Sequence, residues 1–215
     1  MQSVGEARLY SKREEALNVW SHAVGLFLSV VGLVLLVIRA VSFGSAWHVA
    51  SFSIFGLGMV LLYAASTAYH GVKRPELRNR LRVLDHAAIY ILIASTYTPF
   101  CLITLKGAVG WTIFGVSWAM AVTGVMLKLF FTGRFNRIST AMYVFMGWVI
   151  VFAIKPLIAA LPAEGVFWLV AGGVSYTVGA VIFSLDRIPL NHALFHVFVL
   201  IGSLSHFFAV YWYVT

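Results

Sequence analysis

Seven uninterrupted apolar runs, each about the length of a membrane-crossing helix, limit what this chain can fold into. They lie at 18–41, 46–70, 83–105, 110–131, 138–154, 165–184 and 190–214. A segment in hydrocarbon must satisfy its own backbone hydrogen bonds, which leaves helices or a closed barrel. Barrel strands alternate in polarity over about ten residues, whereas these runs are continuous, so they read as helices. Only 10% of residues are charged, against about 25% in soluble proteins, and the mean hydropathy is +0.94. Such a chain cannot cover itself with polar groups, so its solvent is lipid. The expected fold is an all-α bundle of seven transmembrane helices. It forms one domain over 1–215, with a short segment at about 1–17 before the spans and no internal repeat or linker. Pro75, Pro156, Pro162 and Pro189 fall in or beside gaps, while Pro99 predicts a kink in the third run. Glycines within the runs, such as Gly124, Gly172 and Gly115, predict close helix approach.

The net charge is +8, but the cations do not form one basic face. Arg8, Lys12 and Arg13 precede the first run. Lys73, Arg74, Arg78, Arg80 and Arg82 follow the second, Lys128, Arg134 and Arg137 the fourth, and Arg187 the sixth. Only Arg39, Lys106 and Lys155 fall on the other side, a split of twelve to three. The positive-inside rule then places the N-terminus in the cytoplasm and the C-terminus outside it, as an odd number of spans requires. These charges read as topological signals and contacts with anionic lipid, not as a nucleic-acid surface. The first run is too long for a leader's core and reads as a retained span. The single cysteine, Cys101, lies in an apolar run and reads as packing.

Ionisable residues within spans are costly and mark function by default. The topology puts five histidines, His22, His70, His86, His192 and His196, near the cytoplasmic ends of four helices. His192 and His196, four apart, share a helical face with Cβ atoms about 5–6 Å apart. Two such imidazoles can reach one metal ion, or can simply face water at the interface. His70 is the candidate third ligand. Asp85 can orient or deprotonate water, or hydrogen-bond a ligand; the alternative is an ion pair with Arg82. Ser66, one turn before His70, can serve the site or pack within its helix. Three histidines leave a tetrahedral zinc one open position, the arrangement of catalytic zinc, though imidazoles also suit copper, nickel or iron. A Ser66–His70–Asp85 triad would leave His192 and His196 without a role, and no nucleophile elbow surrounds Ser66.

Glu15, Asn18 and His22 share one face of the first helix and read as structural support or hydrogen-bond partners of the ligands. His206 shares the face of His192 but lies about 15 Å beyond His196, too far for one centre, so it lines a cavity or bonds another helix. His86 and His48 receive no role. The aromatic residues read as lipid-facing and interfacial material.

These residues carry a resemblance. Glu15-x2-Asn18-x2-Ser21-His22, Ser66-x3-His70, Leu84-Asp85 and His192-x3-His196 with the later His206 resemble the haemolysin III family. That family is the bacterial branch of the progestin and adipoQ receptor superfamily. The resemblance runs from Glu15 to about Tyr211, with Ser21 standing where many relatives carry threonine. It implies seven helices with the N-terminus inside and Zn2+ on His70, His192 and His196. It also implies Ser66 and Asp85 beside the zinc and its water, as in the adiponectin-receptor relatives, for which ceramidase-type amide hydrolysis has been proposed. Alkaline ceramidases carry a similar set. The bacterial branch is linked to haemolysis and to membrane lipid homeostasis. The long N-terminal domain of the animal receptors does not precede the first run, so hormone binding is not carried over.

The function expected is a zinc-dependent intramembrane hydrolase of lipid amide or ester bonds. Its partners are membrane lipids, its substrate enters laterally, and it resides in a bacterial inner membrane. The alternatives are a sensor or regulator with structural zinc, or a lytic protein, although no charge-lined pore is evident. The histidines stop short of the far side and no repeat supports a transporter.

Overall fold

The computed structural model describes residues 10–132 and 136–215. Arg8 and Arg134, counted above among the topological cations, lie outside the described residues, as does the side chain of Arg137. The described chain is helical, with no strand, and holds seven helical spans long and apolar enough to cross a membrane. They are α1 (Lys12–Phe43), α2 (Ala46–Gly71), α3 (Pro75–Pro99) with its continuation to Leu105, α4 (Gly107–Phe131), a fifth span built from α5 (Asn136–Gly147) and α6 (Ile154–Ala160), α7 (Ala163–Phe183) and α8 (Asn191–Tyr213).

Helix α1 packs on α2, α2 on α3, α3 on α4, α7 on α8, and α8 returns to α1; α5 touches α3 and α7. Leu36, Phe52, Phe55, Met59, Leu62 and Val210 fill the core between α1, α2 and α8. Trp20, Phe27, Phe130, Phe152 and Phe167 stay exposed, the apolar exterior expected of a bundle whose solvent is lipid. The chain is a multi-pass integral membrane protein.

Three segments differ from the hydropathy reading. The third span begins at Pro75, not at 83. Proline suits a helix's first turn, where its missing N–H is no loss, so the basic segment expected to be loop is helix. That places Arg78, Arg82 and Asp85 on one buried face. The fifth span runs to Ala160, not 154, because Pro156 sits in the first turn of α6, where it is tolerated. Between α5 and α6 the helix tightens into a 3₁₀ turn at Val149–Ala153. Tyr97 of α3 holds this break: its hydroxyl donates to the Met146 or Gly147 carbonyl, both at 2.9 Å, and accepts from Ile150 N at 3.1 Å. Broken backbone at membrane depth needs such partners. At Pro99 the α-helix gives way to a π turn over Phe100–Leu105, an irregularity that accommodates the missing N–H.

Candidate metal centre

The first turns of α1, α3 and α8 meet the last turn of α2 at one end of the bundle. Ser11 caps α1, its hydroxyl accepting from Glu14 N at 3.2 Å. Leu190 adopts a left-handed conformation (φ 56°, ψ 29°) immediately before α8. Asn191 then donates to the Phe183 carbonyl at 3.1 Å, tying the start of α8 to the end of α7. A non-glycine residue held in that region marks a turn imposed by its surroundings, and this one aims His192 inward.

His70 of α2 and His192 and His196 of α8 are buried together, each with a nitrogen within 4.8 Å of the others. His70 Nε2 faces His192 Nε2 at 3.1 Å. The Nδ1 atoms are held from outside the cluster. His70 Nδ1 bonds Glu15 Oε2 at 2.8 Å, His192 Nδ1 meets the Tyr10 hydroxyl at 2.8 Å, and His196 Nδ1 lies 3.3 Å from the Asn18 carbonyl. A carboxylate or carbonyl at Nδ1 keeps the proton there and turns the Nε2 lone pair away from it, the arrangement that supports metal-ligating imidazoles. Arg78 donates to the other Glu15 oxygen and also reaches the Val72 carbonyl at 3.3 Å, so α1, α2 and α3 are linked behind His70. The three histidines can hold a metal ion: they are convergent, buried and braced.

Around this cluster, His22 stacks on His196 with centroids 3.5 Å apart and 13° between planes, and meets Tyr63 edge-on at 5.0 Å. His206 lies deeper, with Nε2 3.0 Å from the Leu169 carbonyl. His48 is far away, capping α2 through Ser45 N at 3.1 Å. Ser66 Oγ is buried next to the Asp85 carboxyl, near enough to interact with it though without full hydrogen-bond geometry. Both nitrogens of His70 are engaged elsewhere, so the Ser66–His70 bond of a serine triad does not form. Nor does the ion pair between Asp85 and Arg82 that the sequence left open.

A cavity of about 430 Å³ opens beside the cluster, lined by His192, His196, Ser66 and Asp85 and reaching His206. Sequence reading missed three contributors to this region. Tyr10 and Arg78 brace histidines through contacts that only folding reveals. Lys128 also lines the cavity and is 3% exposed. The charge count places it among the topological cations, yet an ion inside an apolar run is itself the signal.

The sequence also matches known proteins over most of its length. Residues 10–207 match the family model described as Haemolysin-III related. The chain is 46% identical over 202 residues to Hemolysin-3 of Bacillus cereus, covering 94% of this chain and 92% of that one. It is 43% identical over 205 residues to the Hemolysin-3 homolog of Bacillus subtilis (strain 168), covering 95% and 96%. More distantly, it is 28% identical over 207 residues to the monocyte to macrophage differentiation factor of Homo sapiens, covering 93% and 84%. A seven-helix bundle with a buried histidine cluster at one end, matched over nearly its whole length, belongs to the haemolysin III family.

Proposed function

We propose that the protein is a zinc-dependent hydrolase of lipid amide or ester bonds in a bacterial inner membrane, where it contributes to lipid homeostasis. One observation carries the reading: His192 and His196, clustered with His70, line a cavity that Asp85 and Ser66 also line. Three nitrogen donors match the protein ligands of one class of catalytic zinc site. When bound, such an ion is a Lewis acid that polarises a carbonyl and makes water more acidic.

The chain's own groups supply the rest. Glu15, fixed by Arg78, holds the proton of His70 on Nδ1. Asp85 accepts the proton of the attacking water. The Ser66 hydroxyl, buried beside Asp85, donates to the substrate carbonyl or positions the water. Ile89, Leu92 and Val199 line the cavity and suit the apolar part of a lipid, which enters laterally.

The test is fatty-acid release from ceramide and ester lipids by the purified protein in nanodiscs, with metal content measured alongside. His196→Ala is expected to lose zinc and activity, and Asp85→Ala to keep zinc while losing about 10²–10⁴-fold in rate. Equal activity in all three proteins sinks the hydrolase. The Glu15–Arg78 link between three helices favours a second reading, a structural zinc in a sensor or regulator. That reading expects metal-dependent folding and no effect of Asp85→Asn on the cellular phenotype.

A further inference from the structure

The cavity does not end with the groups that this chemistry uses. Beyond Leu92 and Val199 it runs on to His206 of α8, Tyr176 and Thr177 of α7, and Trp148 at the break in the fifth span. His206 is an ionisable residue well inside a span and only 7% exposed. Its Nε2 donates to the Leu169 carbonyl at 3.0 Å. A carbonyl only accepts, so the proton is on Nε2, and in the neutral ring Nδ1 carries the lone pair. That Nδ1 is buried without a hydrogen-bond partner. The Nε2–Cδ2 edge of the ring lies against α7, where it meets the space that a Cβ on Gly172 would fill. Nδ1 is the ring atom opposite that edge, so it points away from α7 on a ring that lines the cavity.

The other polar side chains at this end have partners. Trp148 Nε1 donates to Thr177 Oγ1 at 3.0 Å, the Tyr176 hydroxyl bonds Ser203 Oγ at 2.8 Å, and Thr96 Oγ1 donates to the Leu92 carbonyl at 2.8 Å. Among the described residues at this end, His206 Nδ1 is the polar atom that has none. A buried acceptor left unmet is destabilising. A plain hydrocarbon tail filling the cavity would leave it unmet and exclude the water that could serve it. A tail that carries a donor at this depth would satisfy it. A hydroxyl is the smallest group that brings one, and the helical rise from His196 sets its distance at about 15 Å.

We propose that His206 forms a donor-selective subsite at the deep end of the cavity, so that the preferred ligand is an acyl chain hydroxylated near its middle. The chain's polar end lies at the histidine cluster, its first half against Ile89, Leu92 and Val199, and its hydroxyl donates to His206 Nδ1. This deepens the hydrolase reading by naming a substrate class, and it rests on that reading for which end of the chain meets the cluster. The unmet acceptor stands on its own geometry.

Purified full-length protein in neutral detergent is titrated calorimetrically with octadecanoic acid and its 12-hydroxy and 12-oxo derivatives. The hydroxyl donates and accepts, whereas the ketone, of similar polarity, only accepts. The wild type should bind the 12-hydroxy acid about five-fold or more tighter than the 12-oxo acid. His206→Phe, which keeps a ring but no acceptor, should erase that ratio and shift preference to the unsubstituted chain. Equal binding of the hydroxy and oxo acids by the wild type leaves Nδ1 to an ordered water and overturns the proposal. So does a ratio that survives in His206→Phe. Metal content and elution profile check the folding of the variant, and if His206→Phe fails them, the smaller His206→Leu takes its place. Equal binding in the wild type decides against the subsite whatever the variants do. Ceramide and ester-lipid turnover, measured on the same preparations, separates the two ideas. Hydroxyl preference without turnover removes the hydrolase and leaves the subsite, whereas turnover without preference does the reverse.

Discussion

Glu15 bonds His70 Nδ1 with one carboxylate oxygen and accepts from Arg78 with the other. Its charge therefore acts on the cluster through the histidine's tautomer. In Glu15→Gln the amide keeps an oxygen that can accept from Nδ1 but loses the charge that makes the imidazole a better donor. Metal affinity should fall about 10–100-fold, read by competition with a chromophoric chelator. An unchanged affinity would mean that the carboxylate does not tune His70. Helical spacing alone put Glu15, Asn18 and His22 on one face, and they do meet the histidines of α2 and α8. Their different tasks were not legible. Glu15 and Asn18 bond ring nitrogens, while His22 offers only a stacked ring, with neither nitrogen hydrogen-bonded.

At the scale of the helix, the apolar runs locate spans well and their ends poorly. Hydropathy averages over a window, whereas an end is set by individual bonds. Pro75 and Pro156 look like breaks in the sequence, but each sits where a helix has no use for its N–H. Glycines show the same limit, since a sequence cannot say which of them faces a neighbour. A Cβ on Gly172 would lie 2.2 Å from His206 Cδ2, and His206 is held by its bond to Leu169. Gly115 has nothing within 4 Å. Thermal unfolding in detergent should show Gly172→Ala destabilised by about 1–3 kcal/mol. Gly115→Ala should be neutral or more stable by up to about 1 kcal/mol. Equal shifts for the two would refute close packing of α7 on α8 at this point.

For the whole molecule, seven spans put the two termini on opposite sides, and the cation bias sets which side is which. Cations cluster at the end that holds the histidines, so we infer that this end faces the cytoplasm. A C-terminal alkaline phosphatase fusion should be active, and a C-terminal green fluorescent protein fusion dark. The opposite pattern would invert the bundle and place the cavity's polar end outside. Arg78, Arg82 and Lys128 entered that count as loop charges but are buried in helices. The bias survives their removal, because Lys12, Arg13, Lys73, Arg74, Arg80 and Arg187 remain at the same end.

The sequence by itself determined the solvent, the class of fold and the histidines worth watching. Each follows from one-dimensional quantities: the length of an apolar run, a bias of charge, a spacing of four. Tertiary structure decided how those residues are used. It set His70 against His192, ran Glu15 and Tyr10 in behind them, removed the Ser66–His70 contact and turned Lys128 into a cavity wall. Those outcomes depend on which helices are neighbours and how each is rotated. Between helices in lipid that choice is made by close packing and a few hydrogen bonds, not by the hydrophobic pattern.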